Sequence, residues 1–200
     1  MATQPAHDPA PGAEGPRAAF RSMFEGTEDD WKIIGAEHAR HQQERQPDVI
    51  MEQLARLGDM QVGFRADQLT HSLMCGTLAR RAGASDQEVV AALCHDLGKA
   101  MSIPNHGAIG AEILKPYVDD YIYHTIKWHQ HFQGKYYYDH MGLPTNMRDQ
   151  FKDEDWYDFA VKLVDEWDAP AFDEDFDCDD LESFRPEVTR VFSSPKKMVG

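Results

Sequence analysis

From residue 28 to residue 168 the chain is cut into helix-length pieces by start and stop signals. No piece alternates apolar and polar residues for long enough to make a strand. Runs over 28–44 and 48–58 come first, the second opened by Asp48 and closed by Gly58. A run over 67–82 is closed by Gly83. Ser85 and Glu88 then form an S-x-x-E capping box for a helix reaching Leu97 and stopped by Gly98. Asn105 is placed to cap a helix from His106 to Lys115, which Pro116 ends. Further helices are expected over 119–132 and 154–168, with a long loop over 133–153 between them. The expected fold class is therefore all-α.

Residues 1–17 are rich in Pro, Ala and Gly and carry no periodicity, so they read as a disordered leader to a single domain over 18–200. That leader has no apolar core and gives no secretory signal, and no run approaches the length of a membrane span. The 35 acidic residues against 20 basic ones give a formal charge of −15, which excludes a nucleic-acid backbone or an anionic membrane as the main partner. Three cysteines without a CxxC point to a reducing compartment, hence a cytoplasmic protein. A monomer or homodimer is expected. The stretch 173–182 holds seven acidic residues in ten and partly resembles a calcium loop. Cys178 stands where the loop needs Gly and Phe184 where it needs its closing Glu, so it reads as a solvated acidic loop.

The chemistry lies in the ten histidines. His95 and Asp96 end an apolar helix, where one turn can offer an imidazole and a carboxylate from different directions. His71 lies among Leu69, Leu73 and Met74 in the preceding helix. His106 begins the following one, where a helix N-terminus disfavours the charged ring and suits a neutral ligand. In the 119–132 helix, Ile122, Ile126 and His129 share a face, so His129 points inward and His124 and His131 face solvent. In the last helix Asp168 falls on the stripe of Ala160, Val161, Val164 and Trp167, where a carboxylate is costly unless something pairs with it. Four imidazoles and two carboxylates suit iron, manganese or zinc, and six donors fit two metals sharing Asp96 better than one.

This H…HD…H…H…D pattern resembles the HD-domain superfamily of helical metalloproteins, from about residue 45 to 190. The resemblance implies a helical bundle with a dinuclear metal site in its core. Most of that superfamily are phosphohydrolases. The stretches LVDEWDAPAFDEDFDCDDLESFRPEV and DVIMEQLARLGDM look like those of myo-inositol oxygenases. THSLMCGTLARRAGA and NHGAIGAEIL are similar to stretches of phosphonate-cleaving HD oxygenases. Those oxygenases imply a mixed-valent Fe(II)/Fe(III) pair, with His71, His95 and Asp168 on one iron, His106 and His129 on the other, and Asp96 bridging. They also imply O₂ and a small hydroxyl-bearing substrate, with Lys99 contacting it; Gln130, which stands where the inositol oxygenases have a Ser after the fourth histidine, is a further candidate substrate contact. Tyr136, in a run of three tyrosines, is a candidate wall of the pocket mouth, where its ring could face a quaternary ammonium group. The alternative is a phosphohydrolase using manganese or another divalent metal on a phosphate ester or nucleotide. Lys99, Lys127 and Lys135 would then hold the phosphate.

Overall fold

The computed structural model describes residues 15–173 and 175–197, so most of the expected leader lies outside the described residues. Among the described residues every regular element is helical, and no helix is long and apolar enough to cross a membrane. The chain divides into two compact units, Met1–Arg45 and Gln46–Gly200, where the sequence reading drew one body from residue 18.

The first unit is built on α1, Glu28–Glu44. Thr27 and Asp30 close a reciprocal capping box, and the same Asp30 accepts the Ala19 N–H at 2.7 Å. The Phe20 and Trp31 rings lie 5.4 Å apart, so ordered packing reaches back to the residues where structure was expected to begin.

The second unit contains α2 (Gln46–Arg56), α3 (Gln68–Arg81), α4 (Asp86–Cys94), α5 (His106–Leu114), α6 (Asp120–Gln133), α7 (Tyr157–Lys162) and α8 (Arg185–Phe192). Helices α3 and α4 pack as one pair and α5 and α6 as another, with α8 against α2 and α4. Leu54, Val90, Leu93, Ile122, Ile126, Phe132, Phe184 and Phe192 are all fully buried between them. The Ser85–Glu88 capping box forms as expected. Asn105, by contrast, makes no side-chain cap. A 3-10 turn over Ile103–Asn105, with Pro104 in it, leads into α5 instead.

Three departures from the expected elements matter for the site. The helix ending at Cys94 does not run on to Leu97. Asp96 takes φ −97° and ψ 3°, and a 3-10 turn follows over Leu97–Ala100. That turn comes so close to α5 that a Cβ on Gly98 would sit 2.2 Å from the His106 carbonyl oxygen, which is why glycine stands there. Beyond α7 the chain widens into a π-helical stretch, Leu163–Asp168. The region 133–153 carries 3-10 turns at Gly134–Tyr136, Asp139–Met141 and Met147–Phe151.

Candidate metal centre

Four buried imidazoles meet at the centre of the second unit, and each has its outer nitrogen committed. His71 Nδ1 meets the Ala171 carbonyl at 2.8 Å, His95 Nδ1 that of Ala92 at 2.8 Å, His106 Nδ1 that of Ile103 at 2.7 Å and His129 Nδ1 that of Ile126 at 2.6 Å. A carbonyl only accepts, so each Nδ1 carries the hydrogen and each neutral ring presents a bare Nε2. These Nε2 atoms face one another in two pairs, His71 with His95 at 3.3 Å and His106 with His129 at 3.2 Å. Two bare acceptors at that distance repel unless a cation lies between them. The separation suits neighbouring ligands on a first-row metal with bonds of about 2.1 Å.

Asp96 lies between the two pairs and divides its oxygens. Oδ1 is 3.0 Å from His106 Nε2 and 3.5 Å from His129 Nε2; Oδ2 is 3.4 Å from His95 Nε2 and 3.6 Å from His71 Nε2. Asp168 turns Oδ1 to the first pair alone, 3.3 Å from His71 and 3.6 Å from His95. Both carboxylates are buried, and Asp96 Oδ1 and Asp168 Oδ1 have no hydrogen-bond donor. Orphaned buried carboxylate oxygens facing bare imidazole nitrogens form a donor set that fits a pair of divalent cations.

Without a metal the carboxylates also draw protons toward the first pair of rings, supplying the positive charge that a cation would supply instead. Burial alone would push both carboxyls up, yet the imidazoles around them, with Lys99 beside Asp96, hold both well below the usual carboxylate range. Burial opposes charge on His71 and His95, but Cys75 and Asp168 around the first and Asp96 and Asp168 around the second raise both. Burial and the neighbouring His95 and His106 lower His129, against the pull of Asp96.

The structure thus brings together His71, His95, Asp96, His106, His129 and Asp168. It also brings in Gln133, Gln68, Cys75 and Phe172, which the sequence reading passed over, and seats the expected Lys99 against Asp96. Gln133 Nε2 donates to Asp168 Oδ2 at 2.6 Å. Lys99 Nζ donates to Asp96 Oδ2 at 2.5 Å and to Oε1 of the buried Gln68 at 2.6 Å. Cys75 Sγ packs 3.8 Å from His71 Nε2, and the Phe172 ring stacks on the same imidazole at 4.5 Å, with Phe64 stacked beyond it at 5.0 Å. Gln133 and Cys75 each lie four residues after a histidine of the cluster, a spacing that places them on its helix face.

Other expected positions lie elsewhere. Tyr136 is exposed, under the Lys135 ammonium, and its hydroxyl bonds Asp165. Tyr137 is the tyrosine whose hydroxyl feels the carboxylates; burial first, then Tyr138, Asp168 and Asp96, push it up to about 12. Gln130 engages through its backbone carbonyl, which accepts the Tyr138 hydroxyl at 3.2 Å. Lys127 reaches the Tyr123 hydroxyl and Lys135 reaches Asp165, so neither cation is turned to the cluster. His124 and His131 are half-buried rather than solvent-facing, the first stacked on Trp156 and the second packed on Trp128 and Phe151. The acidic loop is partly neutralised, with Asp179 paired to Arg80 at 2.6 Å.

No protein of curated function matches the chain. The HD domain family matches residues 69–170, just over half of the chain and the span that contains all six converging side chains. The chain belongs to the HD-domain family, whose members are generally metal-dependent enzymes.

Proposed function

We propose that this protein is a diiron HD-domain oxygenase, using O₂ to cleave a C–C or C–P bond in a small hydroxyl-bearing substrate. The observation that carries the dinuclear reading is the division of Asp96, one oxygen to each pair of bare Nε2 atoms. His71, His95, Asp168 Oδ1 and Asp96 Oδ2 would hold one iron. His106, His129 and Asp96 Oδ1 would hold the other, with fewer protein donors and more room for an exogenous group. A mixed-valent iron pair, when bound, supplies the electron transfer to and from O₂ and substrate that a purely hydrolytic metal does not.

The chain's own residues prepare that chemistry. The four backbone carbonyls fix the imidazoles as neutral donors with set ring orientations. Lys99, held by Gln68, places one positive charge beside Asp96, where it would stabilise a substrate alkoxide or carboxylate. Phe172 and Phe64 cover one face of His71. A phosphohydrolase remains the alternative, since Lys99 would suit a phosphoryl oxygen as well. It is less favoured, because Lys127 and Lys135, which would complete a phosphate cradle, are engaged elsewhere.

Metal analysis of anaerobically purified protein tests the reading. Two irons per chain with a mixed-valent paramagnetic signal is the expected result. Turnover of phosphate esters with manganese or nickel, without such a signal, would establish the hydrolase instead.

A further inference from the structure

Helix α6 delivers two groups from one face to the two halves of the centre. His129 and Gln133 are four residues apart, so their side chains project in nearly the same direction, about one turn apart. His129 Nε2 goes to the half that contains His106, at 3.2 Å. Gln133 instead reaches across to the π-helical stretch, where its Nε2 donates to Asp168 Oδ2 at 2.6 Å. The contact is made by the amide nitrogen, so Gln133 donates and the Asp168 oxygen accepts. The other oxygen, Oδ1, is left without a donor, 3.3 Å from His71 Nε2 and 3.6 Å from His95 Nε2.

This matters because a carboxylate has two ways to bind a metal. With both oxygens free it can chelate and fill two coordination positions; with one oxygen engaged it fills one. We propose that Gln133 is a positioning residue that restricts Asp168 to a single metal-facing oxygen and aims that oxygen at the His71–His95 half of the centre. The amide does this without adding charge to a site that already contains two carboxylates and four imidazoles. It keeps one more position open on that half for substrate or solvent than a chelating Asp168 would.

The inference rests on the reading of the six side chains as metal ligands. It is tested with cobalt(II) alone, titrated into the metal-free full-length protein without oxygen and followed by calorimetry and by visible absorption. The variants are Gln133→Leu, which keeps bulk but has no donor, and Gln133→Asn, which keeps the donor but is too short to reach. His129→Ala marks which of the two ions belongs to the other half. In both Gln133 variants the ion on the His71–His95 half should bind about 10- to 100-fold more weakly, the usual cost of removing an outer-shell partner. Its visible bands should also lose intensity as Asp168 swings to chelate, and the ion lost in His129→Ala should bind as in the parent. Parental affinity and spectrum in both variants would overturn the proposal. So would equal weakening of both ions with a lower melting temperature of the metal-free protein, which would assign Gln133 to packing alone. A parent protein that takes up no pair of ions would instead refute the ligand reading itself.

Discussion

A buried imidazole is defined by what its outer nitrogen meets, and here all four meet backbone carbonyls a few residues away or, for His71, one hundred residues away at Ala171. The three local contacts follow from helix geometry, because a ring at the start or end of a turn folds back on the carbonyl three residues before it. Much of this was legible in sequence. The common phase of Ile122, Ile126 and His129 separates the inward histidine from His124 and His131 without any tertiary information. Phase could not show that His124 and His131 would be half-covered, because the aromatic rings on them include Phe151 from the end of the long loop and Trp156 from just beyond it. Nor does composition reveal Lys99 as the countercharge of Asp96, at 2.5 Å and largely buried. That ammonium repels any cation entering beside it. Lys99→Met should therefore bind manganese(II) a few-fold to about tenfold more tightly than the parent, a relief of roughly 1 kcal/mol. Weaker binding in a calorimetric titration would show that Lys99 instead organises the ligands.

Among the elements, helices with capping signals were readable and those shaped by long-range contact were not. Ser85 and Glu88 announce α4 from four residues. Nothing in LVDEWD announces a π-helix, whose wider turn leaves no compositional mark, yet Asp168 stands at its end. Helix α8 follows directly on the acidic stretch and has Pro186 in its first turn, so its short apolar stripe of Val188, Val191 and Phe192 gave too little periodicity to be read. Two elements make testable contacts. The 3-10 turn after Asp96 rests on the first residue of α5, so Gly98→Ala must push His106 away from the cluster. That variant should lose about 1–3 kcal/mol of stability in denaturant unfolding and bind the ion of the His106–His129 half more weakly. Asp165, in the π-helical stretch, anchors the long loop by accepting from Lys135 at 3.1 Å and Arg148 at 3.3 Å. Burial works against its charge, but Lys135, Tyr136 and Arg148 outweigh it and lower its pKa below the ordinary 3.8. A depressed carboxyl stabilises the fold above its ordinary value and stops doing so as the pH falls through the folded one. Asp165→Asn should thus cost about 1 kcal/mol at pH 7, the pair being partly exposed. The gap in melting temperature from the parent should close as the pH drops below about 3.8. A gap unchanged down to pH 3 would remove the ion pairs from the account.

On the scale of the whole molecule, the six converging side chains come from α3, the turn after α4, α5, α6 and the π-helical stretch, so the centre ties together five separate segments of the second unit. Their burial has a cost that the apolar core does not return. Asp96 and Asp168 each present a buried oxygen without a donor, and four imidazole Nε2 atoms face one another in pairs. A fold that concentrates such groups is least stable where they have nothing to bind, and a cation that satisfies them binds the folded chain far better than the unfolded one, in which the ligands are scattered. Metal binding is then folding free energy. At a free metal concentration about 100 times the dissociation constant, linkage adds roughly 2.7 kcal/mol for each ion bound, or about 5–10 °C per ion in melting temperature for a unit of this size. Chelator treatment should lower the melting temperature by at least that amount, and readdition of iron(II) or manganese(II) should restore it. His95→Ala, which removes a donor from the four-ligand half, should show a smaller shift on metal addition, the part that the ion of the His106–His129 half contributes. The comparison of parent and variant, each with and without chelator, separates the contribution of the bound ions from that of the packing around them. If the parent melts at the same temperature in both conditions, the cluster is held together by its protons and apolar walls, and metal plays no part in the fold.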